Sequence, residues 1–217
     1  MVGALSSSSG SNESSSHELL LKAHAHVWNM IYNFINSMSI KCAIDLNIPD
    51  IIHNHGNPIT LSELTQSLKI NSSKAPYVYR LMRILTHSGF FTKSKIGRNE
   101  TEEVDAYALT PSSNLLLKDN PSNINPLLSL ALQPTRIRAW LNLSDWFRND
   151  EDLTRNPFAN THDGRDIWKM SGQEQGINNL FNEAMANDAW FISSLVVENF
   201  EIFKGLTSLV DVGGGTC

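Results

Sequence analysis

The sequence predicts a mainly α-helical chain with a winged helix-turn-helix in its first half and, at its end, the first strand of a nucleotide-type fold. Three observations carry this. Apolar residues recur at steps of three and four over two long stretches, Leu20, Ala23, Val27, Ile31, Phe34 and Met38, and again Ile177, Leu180, Phe181, Ala184, Phe191, Ile192 and Leu195. Between Thr60 and Thr110 two short helical patterns are followed by two strand patterns. The run Ser208-Leu209-Val210-Asp211-Val212 then leads straight into Gly213-Gly214-Gly215, the pattern of a buried strand entering a tight loop.

Composition narrows the class. With 217 residues, 41% hydrophobic and 18% charged, the chain can bury a core and holds one domain plus the start of another. A net charge of -5 makes no global case for nucleic acid or an anionic membrane. Cys42 and Cys217 lie far apart without a motif around either, which fits a reducing compartment and no disulfide framework. No apolar run reaches the ~20 residues of a membrane span. Residues 1–16 are serine-rich and lack a basic start with an apolar block, so they read as a disordered leader rather than a signal peptide. A cytoplasmic protein is expected.

The first helix is expected over His17 to Met38, with one apolar seam that packs either on the domain behind it or on a second copy of the chain. His24 and His26, two apart, point to different sides of a helix and cannot share a metal ion. A second helix is expected over Ser39 to Leu46, stopped by Pro49, with Ile51 and Ile52 as a short apolar element before the turn at Asn57-Pro58. Thr60 and Glu63 have capping-box spacing, with Leu61, Leu64 and Leu68 on the buried side. Asn71 and Ser72 open the next helix, Pro76 sits in its first turns and Gly89 ends it, with Tyr77, Leu81, Ile84 and Leu85 facing inward. Phe90 to Thr92 reads as a strand, 93–105 as a polar hairpin tip, and Tyr107 to Thr110 as the returning strand.

A winged helix can read DNA. Thr60 to Glu100 holds seven basic residues, Lys69, Lys74, Arg80, Arg83, Lys93, Lys95 and Arg98, against Glu63 and Glu100, with Arg80, Arg83 and His87 on one helix face. Set against DNA binding is a solvated face on a packing module, flanked by neutral or acidic segments. A DNA reader would lose affinity steeply with added salt.

Leu115 to Leu117 closes this unit, and Pro121 and Pro126 bracket a loop. Leu127, Leu130 and Ala131 start a helix that Pro134 bends; Ile137, Trp140, Leu141, Leu143, Trp146 and Phe147 then form a broad apolar face, read as core. A charged loop at 149–155 precedes Asn156-Pro157-Phe158 and the turn His162-Asp163-Gly164. The last helix is expected from Ile177 to Phe203, closed by Gly205. Asp188 interrupts its stripe and must be hydrogen-bonded at an edge or face a polar cavity, whose wall is expected at Met185 to Trp190.

The closing loop admits a cofactor cradle or a plain glycine turn. Glycine reaches positive φ without cost and lets backbone N–H groups approach a ligand. Leu209-Val210-Asp211-Val212-Gly213-Gly214-Gly215-Thr216 resembles the first cofactor motif of plant small-molecule O-methyltransferases that use S-adenosylmethionine. Further stretches are similar to the same family: Ile40 to Pro49, Tyr79 to Leu85, Phe181 to Ala186, and Asn156-Pro157-Phe158 with Trp168.

The resemblance implies an N-terminal helical dimerisation domain with a winged helix-turn-helix, followed by helices leading into a Rossmann-like methyltransferase domain truncated after its first strand. Its boundaries are a disordered leader at 1–16, a dimerisation domain at 17–118, a substrate-side region at 119–204 and the start of the Rossmann-like domain at 205–217. It implies a homodimer, S-adenosylmethionine as cofactor held by Asp211, Gly213, Gly214 and Gly215, and a small phenolic substrate lined by Leu132, Gln133, Phe158, Trp168 and Met185. No metal, nucleic acid or membrane partner is implied, and the family's histidine base is expected beyond Cys217. Two residues depart from the family pattern: Cys217 replaces a glycine and Ala189 a serine near the cofactor. The implied reaction is methyl transfer to a phenolic hydroxyl, for which this chain alone is expected to be inactive. The alternatives are a short product that only dimerises and a DNA-binding module.

Overall fold

The computed structural model describes residues 9–97, 103–148 and 155–214. Contacts divide the chain into two units, 1–38 and 39–217, and each is described by itself.

The first unit is the greater part of α1 (Ser9–Asp45), a helix of 37 residues. It begins eight residues before His17, so part of the serine-rich leader is helical, while 1–8 lie outside the described residues. The expected break between Met38 and Ser39 does not occur, because no proline or glycine stands between Ser11 and Asp45 to interrupt the hydrogen-bond ladder. The seam expected from the spacing is exposed: Leu20 is 65% exposed, Ile31 55% and Phe34 61%. His24 accepts a hydrogen bond at its Nε2 from the Trp28 indole at 3.0 Å.

In the second unit, the end of α1 contributes Ile40 and Ala43 to a core shared with α2 (Ile48–His55), β1 (Ile59–Thr60), α3 (Leu61–Ser67), α4 (Ala75–His87), β2 (Phe91–Ile96) and β3 (Val104–Leu109). Asn47, in the left-handed region at φ 59°, separates α1 from α2, a conformation asparagine tolerates better than most residues. Pro49 opens α2 rather than merely stopping α1, and Ile51 and Ile52 are helical. Prolines recur in first turns, at Pro76 of α4, Pro111 of α5 (Pro111–Asn114), Pro126 of α6 (Asn125–Ala131), Pro134 of α7 (Pro134–Leu141) and Pro157 of α9 (Pro157–Asn160). Pro126 is therefore inside a helix and Pro134 starts a new one instead of bending an old one. At those positions the missing N–H has no carbonyl to meet.

The capping box at α3 forms as its spacing requires. Glu63 N donates to Thr60 Oγ1 at 3.2 Å, and Thr60 N donates to the Glu63 carboxylate at 2.8 Å. Those bonds hold the Glu63 carboxyl below its ordinary pKa, with the Thr60 hydroxyl as the largest cause. A lowered folded-state pKa contributes stability that is present above the ordinary carboxylate range and lost as pH falls through the depressed value. Thr60→Ala is expected to cost about 1 kcal/mol, and chemical denaturation at neutral pH checks it.

The helix α4 buries Val78, Met82 and Leu85, not the face through Tyr77, which is 56% exposed. Leu81 and Ile84 are half-buried beside it. A 3-10 turn at Ser72–Lys74, capped by Asn71, rotates the helix entry. Gly89 takes φ 77° just past the helix end, where a side chain would be strained. The strands run longer than the sequence suggests, because β2 and β3 pair from Phe91 with Leu109 out to Ile96 with Val104. Residues 98–102 of the expected tip lie outside the described residues. The two-residue strand β1, too short to leave a period, adds to β3 and makes a three-stranded antiparallel sheet in the order β1-β3-β2.

Two hydrogen bonds from Lys118, its N–H to Asp50 at 3.1 Å and its ammonium to Asn47 at 2.6 Å, tie the segment after α5 to the start of α2. Beyond it come α6, α7, α8 (Leu143–Arg148), α9, α10 (Ile167–Gln173) and α11 (Gln175–Asn199). Two corrections belong here. The face read as core is not: Trp140 is 73% exposed, Leu141 76% and Phe147 73%. The last helix stops at Asn199 rather than Phe203, where Phe200 turns extended and the Asn199 amide donates to the Leu195 carbonyl. Gly205, at φ 79°, serves a later turn.

The run Ser208 to Val212 is not a strand. It forms no sheet pairing, and Leu209, Val210 and Val212 are 71%, 80% and 90% exposed. A strand exists through ladder bonds to neighbours, and none of the described residues supplies a neighbour here.

Candidate functional site

A cavity of about 390 Å³ lies where α7, α8, α9 and the start of α10 meet. Its lining is apolar and aromatic (Ala131, Ala139, Trp140, Leu143, Pro157, Phe158, Ile167), with Asn156 and Arg136 as the polar members. That volume lies within the range of small-molecule sites, about 300–1,000 Å³.

Local sequence explains how each wall is held. Asn156 caps α9, its Oδ1 accepting from the Ala159 N–H at 2.8 Å, and Pro157 begins the helix. Phe158 is fixed from behind by His162, whose ring stacks on it with centroids 4.1 Å apart and planes 11° from parallel. His162 is itself buried, with Nδ1 2.8 Å from the Phe158 carbonyl and 2.9 Å from the Thr161 hydroxyl. The turn at Asp163, φ 54°, and Gly164, φ 75°, then sends the chain into α10. On the far side, the Trp146 indole donates to the Arg155 carbonyl at 2.7 Å.

Arg136 was not foreseen. Its Nη2 is buried without a hydrogen-bond partner, and burial pushes the guanidinium below its ordinary pKa. Of the two arginines of α7, Arg136 stands one turn before Trp140 and thus on the same face, which is the signal in the sequence that could have found it. Leu143 and Ile167, read as core or passed over, also line this cavity.

Of the substrate-side residues expected, Phe158 lines the cavity. Leu132 and Gln133 are half-buried at the junction of α6 and α7, where the Gln133 carbonyl accepts from the N–H groups of Arg136 and Ile137, both at 3.0 Å. Trp168 is 68% exposed on α10 and meets Phe181 of α11 edge to face at 5.4 Å. Met185 is 41% exposed on α11. Asp188 is half-buried, its carboxylate without a hydrogen bond or ion pair among the described residues, and access to water limits the cost of its charge. The adjacent Asn187 amide donates to the Asn123 carbonyl at 3.0 Å, tying α11 to the approach of α6.

The glycine loop is described as far as Gly214. Gly213 is at φ 87°, and the space where its side chain would be is open. At Gly214 a Cβ would collide with the Asp211 carboxylate, which folds against the loop. Glycines with an adjacent acid fit a cofactor held by backbone N–H groups. Gly215 and Cys217 lie outside the described residues.

Of the basic residues of the DNA alternative, Arg80 lies over the Tyr77 ring, while Arg83, His87 and Lys93 line one cavity of about 240 Å³, where Lys93 is paired with Asp105 at 3.1 Å.

Solved structures share this fold at low identity. Human N-acetylserotonin methyltransferase, in complex with S-adenosylmethionine, aligns with a TM-score of 0.66 at 16% identity, over 82% of this chain and 49% of that one. Mitomycin 7-O-methyltransferase aligns with a TM-score of 0.62 at 20% identity, over 85% and 50%. The fold is therefore that of a helical dimerisation domain with part of a methyltransferase domain.

Sequence comparison is more specific. Residues 28–119 match the O-methyltransferase dimerisation domain, and 140–217 match the O-methyltransferase domain. Trans-resveratrol di-O-methyltransferase of Vitis vinifera is 50% identical over 91% of this chain and 54% of its own length. The 8-hydroxyquercetin 8-O-methyltransferase of Mentha piperita is 51% identical over 94% and 57%. The chain belongs to the plant-type O-methyltransferases, and it spans about half the length of the curated relatives it matches. No described helix is long and apolar enough to cross a membrane.

Proposed function

We propose that this chain provides the dimerisation domain and the acceptor-side walls of a cytoplasmic, homodimeric enzyme that methylates a hydroxyl of a small phenolic. The observation that carries the reading is the apolar cavity at Phe158 and Trp140, in a chain about half identical to enzymes named for resveratrol and 8-hydroxyquercetin.

S-adenosylmethionine, held at Asp211, Gly213, Gly214 and Gly215, would supply an electrophilic methyl group. The residues of this chain would do the work of placement. Phe158, braced by His162, and Trp140 present flat apolar faces to an aromatic ring, and Leu143 and Ile167 exclude water around it. Met185, Trp168, Leu132 and Gln133 belong to the same acceptor side in this proposal. Holding two reactants in register can lower a barrier by up to about 7–11 kcal/mol, so a chain that only positions can still contribute most of the rate. No base is assigned within it.

On this proposal the 217-residue chain alone transfers no methyl group to a phenol and binds S-adenosylmethionine weakly. Calorimetry showing micromolar affinity for the cofactor would contradict that second point. The decisive test joins this chain to the C-terminal half of the Vitis vinifera relative and assays labelled methyl transfer to a panel of phenols. Transfer to at least one is expected. A folded, cofactor-binding chimera that methylates none of them overturns the reading.

A further inference from the structure

Among the described residues the charge of Arg136 has no counterpart. Its Nη2 is buried without an acceptor, and among the described residues the guanidinium makes no hydrogen bond or ion pair. Every other described lining residue of its cavity is neutral. A partly buried guanidinium is costly to the extent that it is desolvated unless a carboxylate or phosphate meets it, and arginine offers such groups a planar fork of donors. Desolvation already acts against its charged form. The cavity is the place where a counter-charge can be brought to it, and the aromatic faces of Trp140 and Phe158 lie in the same cavity.

We infer that the cavity binds an aromatic acid, with the ring between Trp140 and Phe158 and the carboxylate against the guanidinium of Arg136. This rests on the acceptor-site reading above and narrows it, from any small phenolic to one bearing an anion. Neutral phenols would enter the same cavity but leave the charge uncompensated, so they bind less well. The selectivity follows from the described lining: among the described residues no acidic side chain lines the cavity to neutralise the arginine, and no second cation lines it to recruit a dianion.

The test is calorimetric titration of the 217-residue chain, without S-adenosylmethionine, using 6-hydroxy-2-naphthoate and its methyl ester. The acid is expected to bind at least about tenfold tighter than the ester, with a preference that shrinks as salt is added. Arg136→Met should abolish the preference, bringing acid and ester to similar affinity. Arg136→Lys, which keeps the charge without the fork, should retain part of it. The methionine variant removes an unpaired charge from an apolar setting, a change proteins commonly tolerate, and its thermal melting confirms that it folds. Equal affinity of acid and ester in the parent chain, a preference that survives in Arg136→Met, or no binding of either compound overturns the inference. None of these outcomes involves turnover, so each leaves the methyl-transfer assay of the chimera to stand or fall separately.

Discussion

Replacing Ile31 and Phe34 together by glutamate is expected to turn the proposed homodimer into a monomer. Both side chains are more than half exposed on α1, on the seam that also carries Leu20 and Val27 and that falls partly within the matched dimerisation domain. Burying one such side chain against a partner is worth about 1.5–3 kcal/mol, and a glutamate in its place would carry an unpaired charge into the interface. Two changes per protomer therefore raise the dimer dissociation constant by about a hundredfold or more. Glutamate is a good helix former, so α1 itself should persist. Sedimentation of the variant and the parent over a range of concentrations reads the change, with circular dichroism as the control for helix content. An undiminished dimer would mean that copies associate through some other surface.

Met82→Ala carries the largest expected loss of stability. Met82 is 0% exposed on α4, in the core with Leu64, Ile59, Phe91 and Tyr107. Truncating a buried methionine to alanine costs about 2–5 kcal/mol, because its transfer free energy is lost and the cavity left behind collapses only in part. That is a large share of the total of about 5–15 kcal/mol available to a folded domain. A urea midpoint well below that of the parent is the expected result. Tyr77→Ala, on the exposed side of the same helix, should shift it little. The pair separates burial from helix propensity, since both changes install the same residue in the same helix.

The contrast between Met82 and Tyr77 also marks where sequence reading stops. Both positions fit a helical stripe, and periodicity places a stripe on one side without saying which of two adjacent stripes meets the sheet. The same ambiguity made Trp140, Leu141 and Phe147 read as core. Large apolar residues at helical spacing go inside only if another element covers them, and the spacing carries no record of the covering element. At the site, Phe158 was legible because Asn156-Pro157-Phe158 is a local capping pattern that also matches the family. For Arg136 the sequence offers a basic residue one turn before Trp140, but that spacing does not say that its Nη2 is buried without a partner among the described residues. Trp168 comes from the resemblance, and Met185 both from the resemblance and from the wall expected at Met185 to Trp190; the fold places them on α10 and α11, two helices that meet where Trp168 contacts Phe181.

By itself the sequence determined the mainly helical class, the capping box at Thr60 and Glu63, the turn at Gly89, the hairpin that follows it and the glycine loop. Each of these depends on groups within a few residues of one another, where hydrogen-bond geometry and allowed φ/ψ are settled locally. Only the tertiary structure decided that α1 runs unbroken past Met38, that β1 joins β3, that Val78 and Met82 face inward, and that Arg136 lines an aromatic cavity. It also decided that Ser208 to Val212 stays unpaired. These depend on what lies across from a residue in space, and a strand or a charge takes its character from that opposite partner rather than from its neighbours in the chain.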